Sequence, residues 1–173
     1  ILNMINKLQG TIWDTNEKFL TIGMGGIGFK VFATIETKEI AVKGNSISLF
    51  THLVVREDAL DLYGFITEDE LKFFEMLINI SGIGPKTALN VLSISSVPAL
   101  KRAISDGDTS HLIKVSGIGK KVAEKIVLEL KDKFENEVKD ENNISLRDEL
   151  DAIEALKALG YSQNESRNAL KEV

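Results

Sequence analysis

Ser81-Gly82-Ile83-Gly84-Pro85-Lys86 and Ser116-Gly117-Ile118-Gly119-Lys120-Lys121 are two copies of one pattern, Ser-Gly-Ile-Gly-x-Lys. Each copy follows an apolar segment with helical spacing and opens another, over residues 87–92 and 122–130. A Gly-containing turn between two helices, repeated once along the chain, predicts a tandem helix-hairpin-helix domain. We call residues 81–86 the first hairpin and residues 116–121 the second hairpin.

Each part of the repeated pattern has a physical purpose. The two glycines allow backbone angles and close approaches that a Cβ would hinder, and the Ile between them can anchor the turn. The second Gly leads into a helix N-terminus, where unpaired N–H groups and the helix dipole favour an anion. Pro85 fits a first-turn position, where no backbone donor is needed. A single copy could be a mere connection between packed helices, but two copies favour binding to DNA phosphates, independent of base sequence.

The candidate residues for contact with the DNA backbone follow from this pattern. Lys121 and Lys125 are four residues apart and share a helix face beside the second hairpin. The full set of candidates is Gly82, Ile83, Gly84, Lys86, Gly117, Ile118, Gly119, Lys120, Lys121 and Lys125.

Residues 1–66 show strand-like alternation, most clearly in 47–55, where Ile47, Leu49 and Thr51 fall on one face. Five short β-rich runs with Gly-rich turns predict a small closed barrel, with an OB-fold as the first candidate and a β-sandwich as the alternative. The expected strands are Ile5–Trp13, Lys18–Ile22, Ile27–Ala33, Ile47–Val55 and Leu60–Phe65.

The period changes at Thr67, which forms a capping-box sequence with Glu70. Helical patterns then continue over residues 67–134, which we expect to form an all-α domain. Residues 135–145 are charged and Asn-rich with little to bury, and they are typical of a flexible linker. Residues 146–173 carry two amphipathic helical patterns, the first ended by Gly160. The chain is therefore expected to be an α+β multidomain protein.

The net charge of −5 is not spread evenly along the chain. Residues 134–173 carry five Lys or Arg against ten Asp or Glu, whereas residues 67–133 carry ten against nine. Because phosphate binding depends on local cations and backbone donors, the overall sign does not exclude a DNA partner. The absence of Cys excludes disulfides and thiolate metal sites and suits the cytoplasm, and no apolar run is long enough to cross a membrane.

Residues 23–28, GMGGIG, formally match a dinucleotide-binding pattern. That pattern requires a helix to begin there, but the following FKVFA continues with strand-forming residues. We therefore interpret the glycines as a tight β-turn. The sequence also contains no P-loop pattern, and we expect no cofactor, no metal site and no catalytic residue in this chain.

Glu57 and Asp58 interrupt two strand-like runs and should lie at an exposed turn. From the sequence alone, a solvated hairpin tip is the simpler interpretation. On a surface that faces DNA, however, two carboxylates would repel phosphates and could redirect strands where duplexes diverge.

Together these features resemble the Holliday-junction branch-migration proteins of the RuvA family. The resemblance covers almost the whole chain, and its most specific part is VVREDALDLYGF (residues 54–65) followed by the paired hairpins. It implies an OB-fold barrel, a helix-hairpin-helix domain and a small C-terminal domain similar to ubiquitin-associated folds. It also implies binding to four-way DNA junctions, with Glu57 and Asp58 as an acidic pin at the junction centre.

The resemblance further implies that the chain forms tetramers, or octamers of two tetramers on DNA, and acts with the hexameric ATPase RuvB and with the junction resolvase RuvC. Residues 146–173 match the part that binds RuvB, with contacts expected at Leu156, Leu159, Gly160 and Tyr161. The family's C-terminal domain has a third helix, whereas this sequence ends at Val173 after two. The alternatives are a helix-hairpin-helix glycosylase or lyase, and a non-specific DNA-binding adaptor.

Overall fold

The N-terminal part of the chain is a closed β-barrel. The structure is a computed structural model that describes residues 4–134 and, beyond them, residues 153, 155, 156, 159 and 161. The barrel strands are β1 (Lys7–Thr15), β2 (Leu20–Met24), β3 (Ile27–Ala33), β4 (Ser46–Val55) and β5 (Leu60–Phe65).

The strands follow the order β1-β2-β3-β5-β4, and the barrel closes between β4 and β1. All neighbours are antiparallel except β3 and β5, which pair in parallel from Val31↔Leu62 to Ala33↔Gly64. This topology confirms the OB-fold prediction and excludes the β-sandwich. Alternate residues of each strand point inward, and the barrel core contains Leu8, Ile12, Leu20, Ile22, Val31, Ala33, Ala41, Ile47, Leu49 and Leu62.

Two features of the barrel differ from the sequence prediction. Strands β1 and β2 lie two residues further along the chain than expected, because the amide side chain of Asn16 closes the turn between them. Its Oδ1 accepts hydrogen bonds from the backbone N–H groups of Lys18 (2.9 Å) and Phe19 (3.1 Å). The second feature is a short helix, α1 (Ile35–Ile40), which the sequence did not predict. Six residues are too few for a clear helical period, although Thr34 caps the helix through a bond from the Thr37 N–H (3.2 Å).

The glycine-rich segment is a β-turn, as predicted. Met24 pairs with Ile27 at the ends of β2 and β3, so only Gly25 and Gly26 connect the strands. Both have positive φ, at 58° and 86°, which is typical of a type I′ hairpin.

The helical part begins at α2, where the capping box between Thr67 and Glu70 is confirmed by reciprocal bonds of 3.2 Å and 2.9 Å. Helices α2 and α3 flank the first hairpin, and α5 and α6 flank the second. The helices are α2 (Glu68–Ile78), α3 (Pro85–Leu92), α4 (Val97–Ser105), α5 (Ser110–Ile113) and α6 (residues 120–134).

Aromatic rings join the barrel to the helices. Tyr63 on the outer face of β5 is 2% exposed and stacks between Phe32 of β3 and Phe74 of α2, with centroid separations of 5.4 Å and 5.2 Å. His52 of β4, 4% exposed, also meets Phe74, and its Nδ1 lies 2.8 Å from Glu75 Oε1. Each aromatic pair contributes about 0.5–1.5 kcal/mol beyond the burial of its area. The outer face of the barrel is thus buried where it meets α2. Among the described residues, no helix is long and apolar enough to cross a membrane.

Candidate nucleic-acid interface

The two hairpins share one main-chain framework. In each hairpin, successive hydrogen bonds link three buried apolar residues. The first lies near the end of a helix, the second in the turn after it, and the third is the hairpin Ile. The matching bonds, donor first, are Ile80 to Leu77 (3.0 Å) and Ile83 to Ile80 (3.0 Å), and Val115 to Leu112 (3.1 Å) and Ile118 to Val115 (3.0 Å). Ile83 and Ile118 are each 5% exposed and lie in the helical core, so they anchor their turns.

The first glycine of each hairpin has a left-handed backbone, with φ of 96° at Gly82 and 91° at Gly117. A side chain in this region costs about 1–2 kcal/mol, which explains the requirement for glycine at these two positions. The second glycine is different. Gly84 has an extended backbone (φ −87°, ψ 167°), and a Cβ added at Gly84 or Gly119 would meet no atom within 4 Å. The fold therefore leaves open space above both residues, and a molecule could approach their backbone closely.

This open space lies at the N-termini of α3 and α6. Gly84 is the N-cap of α3 and makes no side-chain cap bond, so the first N–H groups of that helix are available to an anion. The carbonyls of Gly84 and Gly119 each accept the first helical bond, from Ala88 (2.9 Å) and Ala123 (3.0 Å). Both helices therefore begin at the second glycine of their hairpin. Their free donors differ, because Pro85 has no N–H group and the Val122 N–H already donates to the Gly119 carbonyl over 3.0 Å.

Lysine side chains surround both N-termini. Lys86, Lys120 and Lys121 are exposed in the first turns of α3 and α6. The side chain of Lys120 is 79% exposed, and its Nζ lies 3.9 Å from Glu124 Oε1, one turn further along. Such an exposed pair contributes about 0.3–0.5 kcal/mol, so a phosphate can compete for this ammonium group.

The two hairpins lie side by side. Lys125 Nζ donates to the carbonyl oxygen of Ser81 over 3.2 Å, so a side chain of α6 reaches the first hairpin. A Cβ placed on Gly117 would lie 3.6 Å from Thr87 Oγ1 in α3. The sequence placed Lys125 beside the second hairpin only, and its contact with Ser81 was not foreseen because no local pattern encodes it. Both N-termini consequently belong to one surface.

Glu57 and Asp58 are exposed in the turn between β4 and β5, which we call the acidic turn (residues 56–59). A bond from the Arg56 N–H to the Ala59 carbonyl (2.8 Å) closes it. Arg56, the nearest cation in sequence, directs its guanidinium to Asp61, whose side chain is only 17% exposed. The acidic turn therefore presents two carboxylates at its tip while the adjacent Arg is engaged elsewhere.

A third carboxylate, that of Asp108, stabilises the start of α5, the helix that precedes the second hairpin. Asp108 Oδ1 accepts from the Ser110 N–H (2.8 Å) and Oδ2 from its hydroxyl (2.9 Å), at the start of α5. These bonds from Ser110, the backbone bond first, lower the pKa of Asp108 below its usual value. The contribution of these bonds to the free energy of unfolding is fully present above the ordinary pKa of Asp. It is lost as the pH falls through the lowered pKa of Asp108.

Comparison with known families agrees with this geometry. The family model of the RuvA N-terminal domain matches residues 4–64, and that of a SAM-like helix-hairpin-helix tandem matches residues 74–132. The model of the RuvA C-terminal domain matches residues 150–173. A protein of Thermoanaerobacter sp. named Holliday junction branch migration complex subunit RuvA is 43% identical over 98% of this chain and 90% of its own length. The chain belongs to the RuvA family.

Other members of the RuvA family are similarly close. Proteins with the same name from Caldanaerobacter subterraneus and Clostridium tetani are 44% and 41% identical, again over 98% of this chain and 90% of their own length. Helix α6 runs without interruption over residues 120–134. A loop that could hold a glycosylase's catalytic Asp is therefore absent directly after the second hairpin, within the described part of the chain.

Three of the four C-terminal residues expected to contact a partner are described. Leu156 is half-buried in a helical segment, whereas Leu159 and Tyr161 are 75% and 55% exposed. The Tyr161 N–H donates to the Leu156 carbonyl over 3.1 Å, a bond typical of a helix C-terminus. Gly160 and the expected linker, residues 135–145, lie outside the described residues.

Proposed function

We propose that this chain binds four-way (Holliday) DNA junctions through their backbones and serves as the DNA-binding subunit of a branch-migration complex in recombination and repair. The observation that carries this proposal is the pair of open helix N-termini at Gly84 and Gly119 on one surface. Their N–H groups and nearby lysines suit two phosphates of one duplex arm, and such contacts carry no base code. The names of the 41–44% identical relatives support the choice of a junction over a plain duplex.

In this proposal four subunits hold the four arms, and two such tetramers can enclose the junction. Each subunit points its acidic turn toward the centre, where Glu57 and Asp58 repel phosphates and help to part the strands. The exposure of both carboxylates and the engagement of Arg56 with Asp61 support this role, because the tip keeps its negative charge.

In the same proposal, the ATPase RuvB supplies the force for branch migration. RuvB is a separate chain, and both proteins act in the cytoplasm. Residues 146–173 would bind it, through Leu156, Leu159, Gly160 and Tyr161, and the exposure of Leu159 and Tyr161 supports this assignment. The junction resolvase RuvC is a further proposed partner.

The proposal is tested by comparing a synthetic four-way junction with a linear duplex of equal length and composition. We expect the junction to bind at least tenfold more tightly at about 0.1 M salt, because only the junction engages all subunits and the acidic turn at once. Fluorescence anisotropy gives both affinities, and mass measurement gives the subunits per junction. Equal affinity for the two DNAs would overturn the proposal.

Replacing the acidic turn by Glu57→Gln and Asp58→Asn should leave junction binding equal or several-fold tighter, because repulsion of phosphates is removed. The rate of branch migration with RuvB should change in the same variant. Glu68→Gln with Asp69→Asn is the matched control, since it removes two exposed carboxylates from the start of α2. A loss of junction binding in the acidic-turn variant would contradict the proposed role.

A further inference from the structure

A cleft of about 360 Å³ lies between the barrel and α3, next to the first hairpin. We call it the lysine cleft, because Lys18 of the β1–β2 turn, Lys38 of α1 and Lys86 of α3 all line it. Phe32 and Tyr63 of the barrel line it as well. It thus continues from the hairpin surface onto a part of the barrel that is remote in sequence from the acidic turn.

The lysine cleft differs in the charge of its lining from a second, larger cavity of about 460 Å³. The lysine cleft has three ammonium groups and one carboxylate, that of Glu17, among its lining residues. The larger cavity is lined by four carboxylates and a single ammonium group: Glu36, Glu68, Asp69, Glu70 and Lys72. In a chain of net charge −5, the lysine cleft is therefore a local site of positive potential that suits a polyanion.

The turn that carries Lys18 is held in place before any ligand arrives. Asn16 closes the turn that carries Lys18, and Lys38 Nζ donates to the Glu17 carbonyl of the same turn over 2.5 Å. Lys30 lies over the rings of Phe19 and Phe32, 4.6 Å and 5.1 Å from their centroids, and adds a fourth cation nearby. Because the turn is braced on both sides, little backbone ordering is needed when Lys18 binds an anion.

The aromatic rings of the cleft indicate what kind of anion fits. Tyr63 is 2% exposed, and its two faces are covered by Phe32 and Phe74. No face of Tyr63 is free to stack on a base, so the recognition left to this part of the cleft is that of phosphate charge. A backbone phosphodiester fits this chemistry better than a free nucleotide, which would rely on base stacking.

We propose that the lysine cleft binds a backbone phosphate of the same duplex arm that the first hairpin holds, with Lys18 of the barrel as the contacting cation beside Lys86. This inference rests on the proposed function, and it adds the barrel to the surface that grips each arm. Lys86 connects the cleft to the first hairpin, since it belongs both to the first turn of α3 and to the cleft lining.

The test is the charge reversal Lys18→Glu, with Lys43→Glu as the matched control. Lys43 is exposed and lies outside both the hairpins and the cleft lining, so the two variants change the net charge equally. We expect Lys18→Glu to weaken junction binding by roughly tenfold or more, and Lys18→Ala to reduce the slope of log K against log[salt] by about 0.9 per bound subunit. Lys43→Glu should match the wild type, and thermal unfolding should be equal for all variants.

A second measurement locates the contact. Single neutral methylphosphonates are placed at the same position in all four arms and moved stepwise along them. At one position the methylphosphonate should weaken junction binding by the wild-type protein severalfold but leave binding by Lys18→Ala unchanged. A double-mutant cycle gives this result when two groups interact. Equal affinity of Lys18→Glu and Lys43→Glu, or no position coupled to Lys18, would overturn the inference while wild-type preference for the junction still stands. Loss of that preference itself would instead overturn the proposed function.

Discussion

Replacing Gly84 and Gly119 together by Asp is expected to lower affinity for a four-way junction by at least about a hundredfold without destabilising the protein. Both residues start a helix, and a Cβ at either position meets nothing within 4 Å. Asp is a preferred N-cap, so its carboxylate takes up the first N–H groups and suits the helix dipole. The same carboxylate removes those donors from a phosphate and repels it.

The size of this effect follows from the bonds lost. A hydrogen bond to a charged group contributes about 1.5–3 kcal/mol, so losing one at each hairpin amounts to about 3 kcal/mol or more, roughly a hundredfold in Kd. Anisotropy titration measures the affinity, and thermal denaturation should give a midpoint equal to or slightly above that of the wild type.

Ser96→Asp is the control for each single glycine variant, because it also adds one carboxylate at a helix N-cap, that of α4, outside both hairpins. It should bind the junction like the wild type, and the two single glycine variants should divide the loss between the hairpins. If the double variant folds and still binds with wild-type affinity, phosphates do not approach these N-termini.

Replacing Lys120 and Lys121 by Ala should weaken junction binding about tenfold or more and flatten its salt dependence. Each lysine that neutralises one phosphate contributes about 0.9 to the slope of log K against log[salt], so the slope should fall by roughly 2 per bound subunit. The ion pair of Lys120 with Glu124 is weak, because its Nζ–Oε1 distance is 3.9 Å and both side chains are exposed. It therefore does not keep the Lys120 ammonium from binding a phosphate in the wild type.

The matched control for the lysine pair is Lys43→Ala with Lys133→Ala, which removes two exposed lysines elsewhere. Titrations at four salt concentrations separate the variants by slope as well as by affinity. An unchanged slope in Lys120→Ala/Lys121→Ala would show that these side chains do not face phosphates, whatever the change in affinity at one salt concentration.

Features with a local cause were predictable from the sequence. The hairpins follow from their glycines, the start of α2 from Thr67 and Glu70, and the β2–β3 turn from Gly25 and Gly26. In each case one or two residues determine the backbone conformation through bonds or steric freedom within a few positions.

The missed features depend on contacts between distant parts of the chain. The bond from Lys125 to Ser81 joins residues 44 positions apart, and Lys38 reaches the Glu17 carbonyl across 21. Helix α1 was missed for a different reason, since six residues give no period to read. The acidic turn was predicted in part. Its exposure follows from the local sequence, but the ion pair of Arg56 with Asp61 depends on the pairing of β4 with β5, which the sequence alone did not give.

The stacked rings of Phe32, Tyr63 and Phe74 have a consequence for how a junction is shaped. They fuse the barrel to α2, and α2 leads directly into the first hairpin. The spacing between the acidic turn and the N-termini of α3 and α6 is therefore set by packing within one subunit. A DNA junction that contacts both the acidic turn and these N-termini must therefore bend or unstack to fit this spacing. We expect the DNA to adopt the geometry of the protein, and sequences that deform easily at the crossover to be held most tightly.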